Sequence, residues 1–195
     1  QVLHLLAAER PLEGAERHGL PVRKALTQQL QHVPEERHGA VLSRQTNRRD
    51  QLRLLQQHPD EPLLGHGRAD VVIADLPCSG LGIMGRKNDI KYHVSMESVK
   101  ELAQLQREIL DTVCRYVKPG GTLVYSTCTI DSIENDENAV WFADTHDFSL
   151  CGIDDVVPEH GGERGFVTLH QGIDECDGFF ISKFRADSNN QIGQE

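Results

Sequence analysis

Asp70-Val-Val-Ile-Ala-Asp75 is a short apolar run, rich in β-branched residues and closed by an acid. Such a run suits a strand buried in a parallel sheet. A loop rich in Pro, Gly and Ser follows it. Ser95 is then placed to cap a helix, with Glu97 in its first turn. Leu102, Leu105, Ile109 and Val113 recur at helical spacing and give that helix one apolar face. Lys118-Pro119-Gly120-Gly121 is expected to stop the helix and turn the chain. Thr122-Leu-Val-Tyr-Ser-Thr127 reads as the next strand, and about Ile133 to Asp144 as a second helix. Phe148 marks a further strand candidate, and Phe179-Phe-Ile-Ser-Lys-Phe184 a stronger one. The order β-α-β-α-β-β predicts an α/β domain, its parallel sheet finished by an antiparallel pair.

In an open parallel sheet the chemistry sits outside the carboxyl ends of the strands. Asp75 ends one strand and Thr127-Cys128 ends the next. If the two are neighbours, Asp75, Cys78 and Cys128 share one rim.

The two ends of the chain differ in kind. Residues 1–68 contain no Phe, Tyr, Trp, Ile, Met or Cys, and carry 10 basic and 8 acidic residues. The remainder carries 10 basic and 22 acidic residues and every aromatic side chain. Without bulky side chains the first segment has little to offset the entropy of ordering its backbone. It reads as an atypical low-aromatic segment, either a mobile arm or the product of a shifted reading frame. Residues 69–186 are expected to form the folded part that carries any chemistry, and 187–195 a flexible tail. A net charge of −10 argues against a protein that grips nucleic acid by overall charge, though a local basic patch remains compatible with one. Five cysteines without CxxC spacing, and ten histidines without ligand spacing, predict neither zinc nor a disulfide framework. No apolar run approaches the roughly 18 residues of a membrane helix, so a cytoplasmic protein without membrane contact is expected.

Two stretches then become specific: Asp75-Leu-Pro-Cys-Ser-Gly-Leu-Gly82 and Tyr125-Ser-Thr-Cys-Thr-Ile130. Together they resemble the two cysteine motifs of the Sun-type (RsmB/RsmF-like) RNA 5-methylcytosine methyltransferases. Arg86-Lys-Asn-Asp-Ile-Lys91, Lys118-Pro-Gly-Gly121, Glu134-Asn-Asp-Glu137 and Asp177-Gly-Phe-Phe180 occur in the order that family shows. The resemblance implies S-adenosylmethionine as cofactor and ribosomal RNA, 16S above all, as partner. It implies Cys128 as the nucleophile that adds to cytosine C6, and Cys78 as the second cysteine that helps release product. Asp75 and Pro77 would bind the cofactor; Asp75 would also contact the polar edge of the base, and Pro77 would stiffen the loop that presents Cys78. Gly80 and Gly82 would let the backbone pass close to base and cofactor. Arg86, Lys87 and Lys91 form a local basic cluster suited to RNA phosphates.

Taken alone, these residues have plainer readings. A single cysteine at a strand end is usually a small buried hydrophobe, and Cys114, Cys151 and Cys176 are read that way. Three such cations are more often a solvated patch than a phosphate clamp. Glu134, Asp136 and Glu137 are read as opening a helix. An Asp-Leu-Pro-Cys loop also differs from the Asn- or Asp-Pro-Pro-aromatic loop of adenine amino-group methylation. The family's Gly-rich Ala-Ala-Pro-Gly-Gly-Lys loop and first strand are not recognisable in residues 1–68. The expected fold is therefore an incomplete Rossmann-like class I methyltransferase sheet with an open edge and an exposed apolar face. The alternative function is a non-catalytic remnant or RNA-binding module. A monomer is expected.

Overall fold

The structure, a computed structural model, describes residues 5–8, 66–153 and 162–188. Its central strands are β2 (Ala69–Asp75) and β3 (Val117–Thr127), which run parallel from Val71↔Thr122 to Asp75↔Ser126. Between them lie a short helix α1 (Ile90–His93) and the long helix α2 (Met96–Val113). After β3 come α3 (Asp136–Thr145), β4 (Phe148–Leu150), β5 (Phe166–Leu169) and β6 (Phe179–Ala186). β6 runs antiparallel to β3, and beyond it β4 and β5 share its other edge. The predicted β-α-β-α-β-β order is present with β5 added. Parallel pairing is confined to β2 and β3, so most of the described sheet is antiparallel.

One departure lies at the edge of β2. A four-residue strand β1 (Leu5–Ala8) pairs antiparallel with it, from Leu5↔Ala74 to Ala8↔Val71. The expected open edge is thus occupied over these residues: unpaired N–H and C=O groups on β2 find backbone partners there. No first parallel strand appears among the described residues. The nature of the rest of residues 1–68, and of the tail beyond 188, lies outside the described residues.

Side-chain alternation sorts the sheet into two faces. Val72, Ala74, Leu123, Tyr125, Phe180 and Phe184 meet Ile109, Leu110 and Val113 of α2 and Phe142 of α3 in the main core. The opposite face carries Val124, Ile181, Val167, Leu169 and Ile153, with Ile73 half-buried against them. The expected exposed apolar face is not seen, since none of the exposed large hydrophobic residues described lies on a strand.

Local chemistry explains the helix bounds. Ser95 Oγ accepts from the Ser98 amide, and Ser98 Oγ accepts from the Ser95 amide, forming a capping box. α2 ends at Val113 and tightens into a 3-10 turn, Cys114–Tyr116, ahead of the expected stop. Lys118–Gly121 acts later, as a bulge inside β3. Its register shifts between Ala69 and Val71, Gly120 takes φ 69°, and Lys118 pairs with Asp70. α3 starts at Asp136 rather than Ile133, because the preceding residues form a tight turn. The Ile133 amide donates to Asp131, and the Asn135 amide to the Ser132 carbonyl.

Candidate active site

Parallel pairing of β2 and β3 places their carboxyl ends side by side, with Asp75 opposite Ser126. Two loops leave this rim. The Leu76 amide donates to the Ser126 carbonyl at 2.9 Å, and the Gly82 amide to the Cys128 carbonyl at 3.1 Å. The loops therefore run together, and Cys78 Sγ lies 3.3 Å from Cys128 Sγ. Cys78 is buried and Cys128 half-buried, and both are thiols, as are the other three cysteines. The hydrogen bond to Cys128 and then burial push the Cys78 thiol well above its ordinary value. Either sulfur can donate in this contact, and the two causes together favour the protonated form of Cys78.

Asp75, half-buried, accepts from Ser126 Oγ at 3.3 Å. Pro77 is buried, and its carbonyl accepts from Gln106 of α2 at 2.9 Å. Gly80 takes φ 77°. The close approach at Gly82 is to protein backbone: a Cβ there would stand 2.2 Å from the Gly178 carbonyl oxygen. The Gly178 amide donates back to the Gly82 carbonyl at 2.8 Å, so the loop before β6 is stapled to both cysteine loops.

Arg86 and Lys87, on the segment leading into α1, and Lys91, within α1, are all exposed. Arg86 pairs with Asp177 at 3.1 Å and borders an open groove of about 400 Å³ lined also by Asp174, Glu175 and Asp177. Lys91 lies 4.9 Å from the centre of the exposed Tyr92 ring. The cysteines without motif support stand apart. Cys114 sits in the main core, where burial pushes its thiol up to about 12. Among the described residues no three His, Cys, Asp or Glu side chains converge as metal ligands, and no helix is long and apolar enough to cross a membrane.

Sequence reasoning missed Glu134. It does not open α3 beside Asp136 and Glu137; it is fully buried, with Oε1 accepting from the Ser79 amide at 2.9 Å. It also missed Gln106, whose amide donates to Glu134 at 3.0 Å and whose Oε1 accepts from Tyr125 and Asn138. Gln106 had a readable signal, being a polar residue on the same stripe as Leu102, Ile109 and Val113. Glu134 had none, because an acid before a helix ordinarily faces solvent.

The profile of the family described as 16S rRNA methyltransferase RsmB/F matches residues 28–185. The chain belongs to this family. The match begins inside the low-aromatic segment. Ribosomal RNA small subunit methyltransferase F of Salmonella agona (strain SL483) and that of Escherichia coli (strain K12) are each 36% identical over 121 residues. Those residues make up 60% of this chain and 25% of each relative, so the chain spans about a quarter of the RsmB/F proteins it matches. Among solved structures, PH0851 shares 34% identity and a TM-score of 0.57, over 62% of this chain and 27% of that one. A methyltransferase homolog from Pyrococcus horikoshii shares 26% identity at TM-score 0.51, over 69% and 42%. NSun6 from Pyrococcus horikoshii, solved with SFG, has the same fold at 24% identity and TM-score 0.52, over 69% and 32%. The RsmB/F chain thus has a Rossmann-like α/β fold, and the two thiols stand in it at the rim where ligands of such sheets bind.

Proposed function

We propose that this RsmB/F chain is part of an enzyme that methylates cytosine C5 in 16S rRNA, using S-adenosylmethionine, in the cytoplasm. The observation that carries this is the contact of Cys78 and Cys128 at 3.3 Å across the ends of two parallel strands. Cytosine C5 is too weak a nucleophile to take a methyl group unaided. Addition of the Cys128 thiolate to C6 makes C5 electron-rich. The cofactor supplies an electrophilic methyl group on a sulfonium. Once C5 carries the methyl group, the C5 proton leaves to a base and the C6–S bond breaks, restoring the ring and the thiolate. Cys78, as a thiol beside Cys128, would hydrogen-bond the departing thiolate and so ease breaking of the C6–S bond. Asp75 would hydrogen-bond the polar edge of an extruded base and favour protonation of its N3.

The described residues fit the base side of such a site. Asp75 at the strand end offers a carboxylate to cofactor and base, while Pro77 acts through the shape of the loop, its carbonyl being taken by Gln106. Lys87 and Lys91 would meet phosphates; Arg86 is already paired with Asp177.

The test is transfer of labelled methyl groups from S-adenosylmethionine to 16S rRNA by the full chain and by Cys128→Ala. Label at cytosine C5 that is lost in Cys128→Ala supports the reading. In an RsmB/F protein with the Gly-rich loop, Cys78→Ala should accumulate a protein–RNA adduct. An adduct surviving Cys128→Ala would reverse the two roles. A second reading, a remnant or RNA-binding module without catalysis, is favoured by residues 1–68, which hold no Gly-Gly pair for a cofactor loop. Calorimetry that finds no heat with S-adenosylmethionine selects it.

A further inference from the structure

Glu134 is the buried acid that the chemistry above leaves unused. It does not cap its own helix: the N-cap residue of α3 is Asn135, which makes no side-chain cap, and the Glu134 carboxylate turns to the loop after β2. There it meets both flanks of Cys78. On one side the Ser79 amide donates to Oε1 at 2.9 Å and the Ser79 hydroxyl to Oε2 at 2.5 Å. On the other side Gln106, which donates to Oε1 at 3.0 Å, also holds the Pro77 carbonyl at 2.9 Å. Thr129, next to Cys128, joins through its hydroxyl, 2.8 Å from Ser79 Oγ. The Glu134 main-chain carbonyl accepts from Tyr125. Residues adjoining both thiols are thus tied to one carboxylate.

A neutral side chain could hold this loop as well. Burying a carboxylate is costly, and burial does push the Glu134 acid upward, against the pull of its donors. Three donors aimed at two oxygens match the ionised form, which only accepts. Its charge then acts on what it encloses. Two thiols in contact carry one negative charge more readily than two, and a neighbouring carboxylate makes Cys78 the poorer place for it. Among the described residues, the charged and titratable groups named around the pair are Glu134, Tyr125 on β3, Arg107 on α2, and Asp75 at the rim. Arg107 is engaged with Asn138 and the Trp141 ring.

We propose that Glu134 is a positioning residue that clamps the Cys78 loop through Ser79 and steers the negative charge of the thiol pair onto Cys128. This rests on the reading of Cys128 as nucleophile. It gives the buried acid a part in choosing which thiol attacks and which keeps the proton.

The test is alkylation of the folded full chain by limiting iodoacetamide over a series of pH values, with labelled peptides mapped by mass spectrometry. Mapping separates the pair from Cys114, Cys151 and Cys176. In the unaltered chain Cys128 should label before Cys78. In Glu134→Gln the pH midpoint for Cys78 should fall by about one unit, raising its share of early label on the order of tenfold. A merely structural role would speed Cys78 labelling at every pH and leave its midpoint in place, and that result overturns the proposal. So does Cys78 labelling first in the unaltered chain. If Glu134→Gln does not fold, Ser79→Ala decides. It keeps the charge but drops the hydroxyl link, and Cys78 labelling no faster than in the parent removes the clamp. Labelling needs neither RNA nor cofactor, so this result and the methyl-transfer assay can fail independently.

Discussion

Two residues test the site at its smallest scale. A Cβ added at Gly82 would stand 2.2 Å from the Gly178 carbonyl oxygen and 2.9 Å from that of Cys128. Both obstacles are backbone, so neither can rotate away. Gly82→Ala should destabilise the fold by about 1–3 kcal/mol in urea unfolding, as overpacking does, and should disturb alkylation of Cys128. Cys114 tests burial. Its thiol ionises near 9.0 when unfolded and at about 12 in the core. Above pH 9 the unfolded chain therefore loses that proton first, and stability falls as pH rises toward 12. Chemical unfolding should show Cys114→Val losing less stability over this window, by at most about 1.4 kcal/mol per pH unit. Cys78 and Tyr125 are also pushed up, but they titrate in both proteins and drop out of the comparison.

At the scale of elements, α2 does two jobs on one stripe. Leu102, Ile109, Leu110 and Val113 bury against the sheet or beside it, while Gln106, fully buried among them, reaches the loop after β2. A helix that only packed would carry another aliphatic residue there. Gln106→Leu would leave the Pro77 carbonyl without its partner and take one donor from Glu134. Each buried polar group so abandoned costs about 1–3 kcal/mol. We expect a lower urea midpoint and, below the transition, faster alkylation of Cys78. An unchanged rate at Cys78 would mean that the loop holds itself without α2.

For the whole molecule, charge sets the terms of the proposed RNA contact. The chain carries a net charge of −10, and the open groove beside Arg86 is lined by acids. Binding to single-stranded RNA through Lys87 and Lys91 alone should show a shallow salt dependence, a log–log slope of about −1.4 at roughly −0.7 per phosphate contact. Fluorescence anisotropy at several salt concentrations measures it, and Lys87→Glu with Lys91→Glu should flatten it. A much steeper slope would bring in the 10 basic residues of the first 68.

The sequence by itself determined the α/β class, the strand–helix order from Asp70 to Phe184, and the two cysteine motifs, because those signals are local. An apolar run, a helical stripe and a Pro-Cys-Ser-Gly loop each declare themselves within about a dozen residues. Bulges, short antiparallel strands and the onset of α3 did not, since pairing partners rather than periodicity set them. β5 takes its place by pairing with β6, and β1 by pairing with the edge of β2. Tertiary structure alone decided that Glu134 is a buried clamp instead of a helix-opening acid. Its donors come from Ser79 and Gln106, 55 and 28 residues away. Contacts across such separations exist only once β2 and β3 lie side by side and α2 has closed over them, bringing Cys78 against Cys128.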